Sequence, residues 1–260
     1  MTYHAGTGRL SDRRHLDWKG CFNVRDLGGL PTTDGRRTRW GAVVRSDALD
    51  GLTAAGWTAL IEHGVRTIID LRNDDERGPD ASPRPTRVIT RHLPLDGTED
   101  RAFWNAWDTG PQFGTPLYYR PHLERFPNRS AAVIAAVAHA EPGAVVFHCA
   151  GGRDRAGQIA MLLLALVGVA PDNIAEDYEL SHERLGTRCA AHGEENLGPL
   201  LKAFLADEGT TAGEVIIATL ARVDVDAQLR AGGLTDRNLA TLRRRLLSPP
   251  APAGEHPPPG

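Results

Sequence analysis

Short apolar runs alternate with helix-like stretches through the first two thirds of the chain, and after that the pattern turns helical throughout. Val65 to Leu71 reads as a buried strand, and so does Ala144-Val145-Val146-Phe147, which is bounded by Pro142-Gly143. Thr38 to Val44 and Val88 to Leu95 predict two further strands. Between them, Thr53 can cap a helix over Ala54 to His63 that stops at Gly64. Ser130 to Ala140 predicts another helix, and Gln158 to Val169 is an apolar stretch of helical length. Asn73 to Pro85 is polar and contains proline, so it reads as loop. Strands alternating with helices predict an α/β fold with a mainly parallel central sheet flanked by helices, and ligands at the carboxyl ends of the strands.

Pro171, at a first turn, opens a helix through Leu180, and further helical patterns cover Leu197 to Ala206, Gly213 to Val223 and Asp236 to Leu247. The expected organisation is an N-terminal segment over 1–19, one domain over 20–247 whose helical C-terminal part covers about 171–247, and a disordered proline-rich tail over 248–260. There is no internal repeat. Phe103 to Phe126 is rich in aromatics; Trp104, Trp107, Tyr118 and Tyr119 form either a satellite core or a lid that receives a substrate ring.

The 260 residues are 41% hydrophobic and 24% charged, as in an ordinary globular protein. With 30 basic against 33 acidic residues and a net charge of -3, no charge excess points to a nucleic-acid partner. Cys21, Cys149 and Cys189 are odd in number and widely spaced, which argues against a disulfide framework and against metal-ligand spacing. No cofactor is implied. Met1 to Leu16 lacks an apolar signal core, and Ile159 to Ala170 is too short to span a bilayer. The expectation is a protein without stable membrane insertion, either cytoplasmic or secreted without a signal peptide.

The most informative stretch is His148-Cys149-Ala150-Gly151-Gly152-Arg153-Asp154-Arg155, which lies between a strand and a helix. Backbone N–H groups at a helix start lack intrahelical partners and favour anions, and a tight glycine-containing loop can gather several into a nest. A cysteine at the mouth of such a nest has its thiolate stabilised by the helix end and by Arg155. The planar Arg155 fork offers two donors to phosphate oxygens. The expected chemistry is attack by sulfur on phosphorus, with Ala150, Gly151, Gly152, Arg153 and Arg155 as phosphate-binding positions. Asp154 is the nearest candidate for moving the proton of the leaving oxygen, or else an ion-pair partner that orients Arg153.

At these residues the chain resembles the protein tyrosine phosphatase superfamily, and more narrowly the bacterial tyrosine and lipid phosphatases with a Cys-x-x-Gly-Lys-Asp-Arg-Thr-Gly loop. Three more segments carry the likeness: Phe22-Asn23-Val24-Arg25-Asp26-Leu27-Gly28-Gly29, Val44-Arg45-Ser46-Asp47-Ala48-Leu49 and Thr67-Ile68-Ile69-Asp70-Leu71-Arg72. The likeness covers roughly residues 20–185. It implies a cysteine-dependent phosphatase with Cys149, Asp154 and Arg155 as catalytic residues and a phosphorylated protein, lipid or small molecule as partner. Arg45, Asp70 and Arg72 are further candidates for lining the pocket, with Asp26 and His92 behind them, and Arg25 with Asp26 could equally be a structural ion pair. Cys21 and Cys189 read as small buried hydrophobes.

Two departures matter. Arg153 stands in place of Lys, keeping charge but changing geometry. Ala156 stands in place of a hydroxyl that helps the thiolate leave, which predicts slow turnover with a lingering intermediate, or a loop that only binds phosphate.

Overall fold

The computed structural model describes residues 9–249, so most of the proline-rich tail lies outside the described residues. Five strands, β1 (Arg25–Asp26), β2 (Val43–Ser46), β3 (Val65–Asp70), β4 (Ile89–His92) and β5 (Ala144–His148), form one sheet in the order β1-β2-β5-β3-β4. Only β1 pairs antiparallel; the other pairings are parallel. The helices are α1 (Leu10–Arg14), α2 (Ala54–Glu62), α3 (Arg101–Trp107), α4 (Tyr119–Arg125), α5 (Pro127–Ala138), α6 (Asp154–Leu166), α7 (Pro171–His192), α8 (Gly198–Asp207), α9 (Ala212–Arg222), α10 (Val225–Ala231) and α11 (Asp236–Leu246). This is the α/β class that the alternating pattern predicts.

Side chains alternate across β5, so each face of the sheet acquires its own core. Val145 and Phe147 join the larger apolar cluster with α5, α6 and the C-terminal helices. Ala144 and Val146 join a smaller one with Trp57, Leu60 and Ile61 of α2. Coverage on both faces explains why Ala144 to Phe147 of β5 is an unbroken apolar run. Helix α6 is buried nearly all round, from Ala156 to Leu164, as expected of a helix enclosed by others. The C-terminal helices share the larger cluster through Ile216, Leu229 and Leu242.

Register brings the site together. Ser46 of β2 and Asp70 of β3 both sit opposite His148 of β5, so Asp47, Leu71 and Cys149 leave the sheet side by side at one rim.

Several boundaries differ from the sequence reading. Thr38 to Ala42 is not strand: Gly41 takes a φ of 66° and the Arg39 N–H bonds to the carbonyl of Leu246, so β2 begins at Val43. Helix α7 does not stop at Leu180 but runs to His192, where Gly193 closes it at a φ of 67°. No helix among the described residues is long and apolar enough to cross a membrane.

Candidate active site

Strand β5 ends at His148, and the loop from Cys149 to Arg153 turns directly into α6. Gly152 makes that turn at a φ of 70°, and a Cβ there would sit 2.6 Å from the backbone nitrogen of Asp47. Glycine is therefore required by conformation and by space.

Five successive carbonyls, from Ala150 in the loop to Asp154 at the start of α6, are held by donors from elsewhere in the fold. The Ala48 N–H donates to Ala150 at 3.0 Å, and Asn23 Nδ2 donates to Gly151 at 2.9 Å. Arg45 Nη2 donates to Gly152 at 2.9 Å and to Arg153 at 3.1 Å. The Tyr119 hydroxyl donates to Asp154 at 2.6 Å. In a trans peptide the C=O and the following N–H point in opposite directions, and no described peptide bond is cis. Holding these oxygens on the scaffold side turns the N–H groups of Gly151, Gly152, Arg153, Asp154 and Arg155 to the opposite side. These N–H groups are gathered at the start of α6, where unpaired backbone donors favour an anion.

Supports behind the loop are themselves fixed. Asp47 accepts from the N–H groups of Phe22 (3.0 Å) and Asn23 (3.1 Å), which seats the Asn23 amide under Gly151. Burial pushes the Asp47 carboxyl up.

Cys149 is 2% exposed and belongs to the larger apolar cluster. Arg155 holds Glu76 with both terminal nitrogens and reaches Asp96 at 3.1 Å. Burial alone would lower the Arg155 pKa, but Glu76, Cys149 and Asp96 together hold it above its ordinary value. For Asp96, burial outweighs Arg155 and raises the carboxyl. For Glu76, burial alone would raise the carboxyl, but Arg155, the Asn73 N–H and Arg72 together lower it.

Asp154 lies in the first turn of α6. Its Oδ1 accepts from Arg153 Nε at 3.0 Å and Oδ2 from Arg153 Nη2 at 3.1 Å, with the Tyr178 hydroxyl 3.4 Å from Oδ1. Arg153 and Asp154 are thus a two-point pair, and Gly114 lies beside the Arg153 guanidinium, where an added Cβ would sit 3.3 Å from Nη2.

Other expected positions lie elsewhere. Arg45 sits behind the loop, 1% exposed, with its donors on loop carbonyls and Asp177. Arg72 donates to Asp70 at 3.0 and 3.1 Å and to Asp50 at 2.6 Å. Asp70 lies 3.7 Å from the His148 ring. The Asp70–Arg72 couple is therefore buried among its own partners instead of facing open space. His92 bonds to the carbonyl of Arg72 at 2.8 Å. Arg25 pairs not with Asp26 but with Asp177 at 3.1 Å, while Asp26 accepts from the N–H groups of Gly28 and Gly41, both at 2.7 Å. Trp104, Tyr118 and Tyr119 are buried in the larger core.

Sequence reasoning missed Glu76, Asp96 and Asp177. Glu76 is polar residue among polar residues in a loop, Asp96 follows a strand without any motif, and Asp177 sits on a helix where acids are common.

A sequence model of the tyrosine phosphatase family matches residues 16–248. A protein of Cupriavidus necator, provisionally named a tyrosine-protein phosphatase, is 30% identical over 184 residues, covering 67% of this chain and 66% of that one. A tyrosine-protein phosphatase of Nostoc commune is 36% identical over 142 residues, covering 54% of this chain and 48% of that one. The triple specificity protein phosphatase PtpB of Mycobacterium tuberculosis is 27% identical over 196 residues, covering 63% of this chain and 68% of that one. The chain spans from about half to about two thirds of the length of these relatives.

Proposed function

This chain belongs to the tyrosine phosphatase family, and from that premise we propose that it hydrolyses phosphate monoesters in two steps through a phosphocysteine. In the first step the Cys149 thiolate forms a bond to phosphorus as the ester P–O bond breaks. Asp154 supplies the proton to the departing oxygen. In the second step water attacks the phosphocysteine, Asp154 takes its proton, and the thiolate leaves with release of inorganic phosphate. Arg155 and the N–H groups from Gly151 to Arg155 hold the phosphoryl oxygens, whose charge grows in the transition state. Arg155 must exchange Glu76 for the phosphoryl group to do so. Arg153 keeps Asp154 in place, and Arg45 acts from behind the loop. The reaction as written uses no metal or cofactor.

The observation that carries this reading is the set of five carbonyls held by the scaffold, because donors fixed before the substrate arrives need no reorganisation during the reaction.

Phosphotyrosine is the substrate class favoured by the relatives' names, with phosphoinositides and phosphorylated sugars or nucleosides as the competing classes. Ranking all of these by kcat/KM with the purified chain tests the reading. Turnover led by phosphotyrosyl peptide supports it, and no turnover of any monoester contradicts it. Ala156 motivates a second reading, a phosphate-binding protein without turnover, for which one stoichiometric burst and no steady rate is the signature.

A further inference from the structure

One carboxylate outside the loop governs how the loop is held. Asp177, in the second turn of α7, is 1% exposed and is met by three guanidinium groups, from Arg14, Arg25 and Arg45. Arg14 otherwise donates to the carbonyl of Asp26 at 2.8 Å. Arg25 and Arg45 continue to the loop. Arg45 carries the carbonyls of Gly152 and Arg153. Arg25 Nη1 donates to Asn23 Oδ1 at 2.5 Å, which leaves the Asn23 Nδ2 for Gly151 at 2.9 Å. The same guanidinium bonds to the Asp177 carbonyl at 2.6 Å and to Ser181 Oγ at 2.9 Å. Three of the five held carbonyls therefore trace back to a single side chain on the helical C-terminal part.

We propose that Asp177 is a positioning residue for catalysis, which directs Arg45 and Arg25 and through them aims the N–H groups of Gly152, Arg153 and Asp154 at the phosphoryl group. The inference rests on the phosphatase reading of the loop and adds a residue that acts without touching substrate. One carboxylate facing three guanidinium groups also leaves an excess of positive charge behind the nest, which favours an anion in front of it. Burial alone would raise the Asp177 pKa, but the three arginines hold it well below the usual carboxylate range. Loss of this carboxylate leaves Arg25 and Arg45 buried, repelling one another and held only by neutral partners, so the positions from which they support the loop shift.

The test compares three variants under conditions where circular dichroism shows each to be folded. Asp177→Asn keeps the shape and removes the charge; kcat is expected to fall about 10- to 100-fold, with inorganic phosphate inhibiting about 10-fold more weakly. Arg45→Lys keeps a charge beside Asp177, but one ammonium cannot reproduce the fork to both carbonyls, so kcat and phosphate inhibition are expected to weaken in the same direction. Leu242→Ala, in the apolar core, is expected to lower the unfolding midpoint while leaving kcat unchanged. The inference is overturned if Asp177→Asn and Arg45→Lys keep wild-type kcat and phosphate inhibition, or if Leu242→Ala lowers kcat as far as they do. Should Asp177→Asn fail to fold, Asp177→Glu, which keeps the charge but displaces the carboxylate, takes its place: a lower kcat and weaker phosphate inhibition support the inference, and wild-type values for both overturn it. Phosphate affinity measured by calorimetry in Cys149→Ser protein separates the two claims. An inert wild-type chain counts against the phosphatase reading, whereas phosphate affinity unchanged by Asp177→Asn counts against this inference only.

Discussion

Arg155 grips the carboxylate of Glu76 with both terminal nitrogens of its guanidinium. A carboxylate on an arginine fork resembles a phosphate on the same fork, so on the proposed mechanism Glu76 is expected to compete with the substrate for Arg155. Its position is set locally, because Glu76 Oε2 also accepts from the Asn73 N–H at 2.9 Å. Glu76→Gln removes the competing charge while keeping a hydrogen-bonding group. Inorganic phosphate is expected to inhibit this variant about 3- to 10-fold more strongly than wild type. An unchanged inhibition constant would show that Glu76 does not compete.

Asp154 faces a different test, since a general acid matters in proportion to how badly the leaving oxygen needs a proton. Asp154→Asn is expected to lower kcat/KM, which reads the first step alone, about 100-fold or more with phenyl phosphate, and far less with a nitrophenyl ester whose phenolate leaves unaided. Equal losses with both esters would assign Asp154 to holding Arg153 instead, through the pair at 3.0 and 3.1 Å.

Ala156 is fully buried in the first turn of α6. Ala156→Ser adds one hydroxyl at the position where the related loops carry one to help the thiolate leave. The steady rate is expected to rise about 3- to 10-fold while any initial burst shrinks, because hydrolysis of the phosphocysteine no longer limits turnover. Pre-steady-state kinetics with an aryl phosphate reads both quantities. A steady rate no higher than wild type would place the slow step elsewhere.

The strand, turn and helix around Cys149 were legible because their signals are local. Pro142-Gly143, the apolar run to Phe147 and the glycines after Cys149 announce strand, turn and helix within a few residues. What was illegible depends on contacts across the chain. Asp177 meets Arg25 and Arg45 at separations of 152 and 132 residues, and no pattern near Asp177 carries that information. Arg45 looked like a phosphate ligand because arginine so often is one, whereas the fold directs it to carbonyls. The Thr38 to Ala42 error has the same origin: β-compatible residues, with Arg39 tied to Leu246 far along the chain. Helix α7 outran its reading because the apolar periodicity fades after Leu180, while helix-forming Glu183, Arg184, Leu185 and Ala190 carry the backbone on.

Stability should fall on acidification. Burial lowers the pKa values of His122 and His148 from 6.5 to about 4, so both stay neutral in the folded protein. In the unfolded chain they take up protons near 6.5, and the unfolded state then binds more protons than the folded one. Their contribution is present in full above about pH 6.5 and is lost as pH falls from there through about 4, at most on the order of 3 kcal/mol for each histidine. Asp177, held well below the usual carboxylate range, extends the same trend to lower pH. Thermal unfolding in a pH series checks this, and a constant midpoint from neutral pH down to about 4 would contradict the assignment of neutral buried histidines.

The most direct measurement is rapid acid quenching of the enzyme during turnover of an aryl phosphate, followed by mass spectrometry of its peptides. A phosphate adduct on Cys149, absent together with turnover in Cys149→Ser, is the predicted result. Full activity in Cys149→Ser, or an adduct on any other residue, would contradict the account.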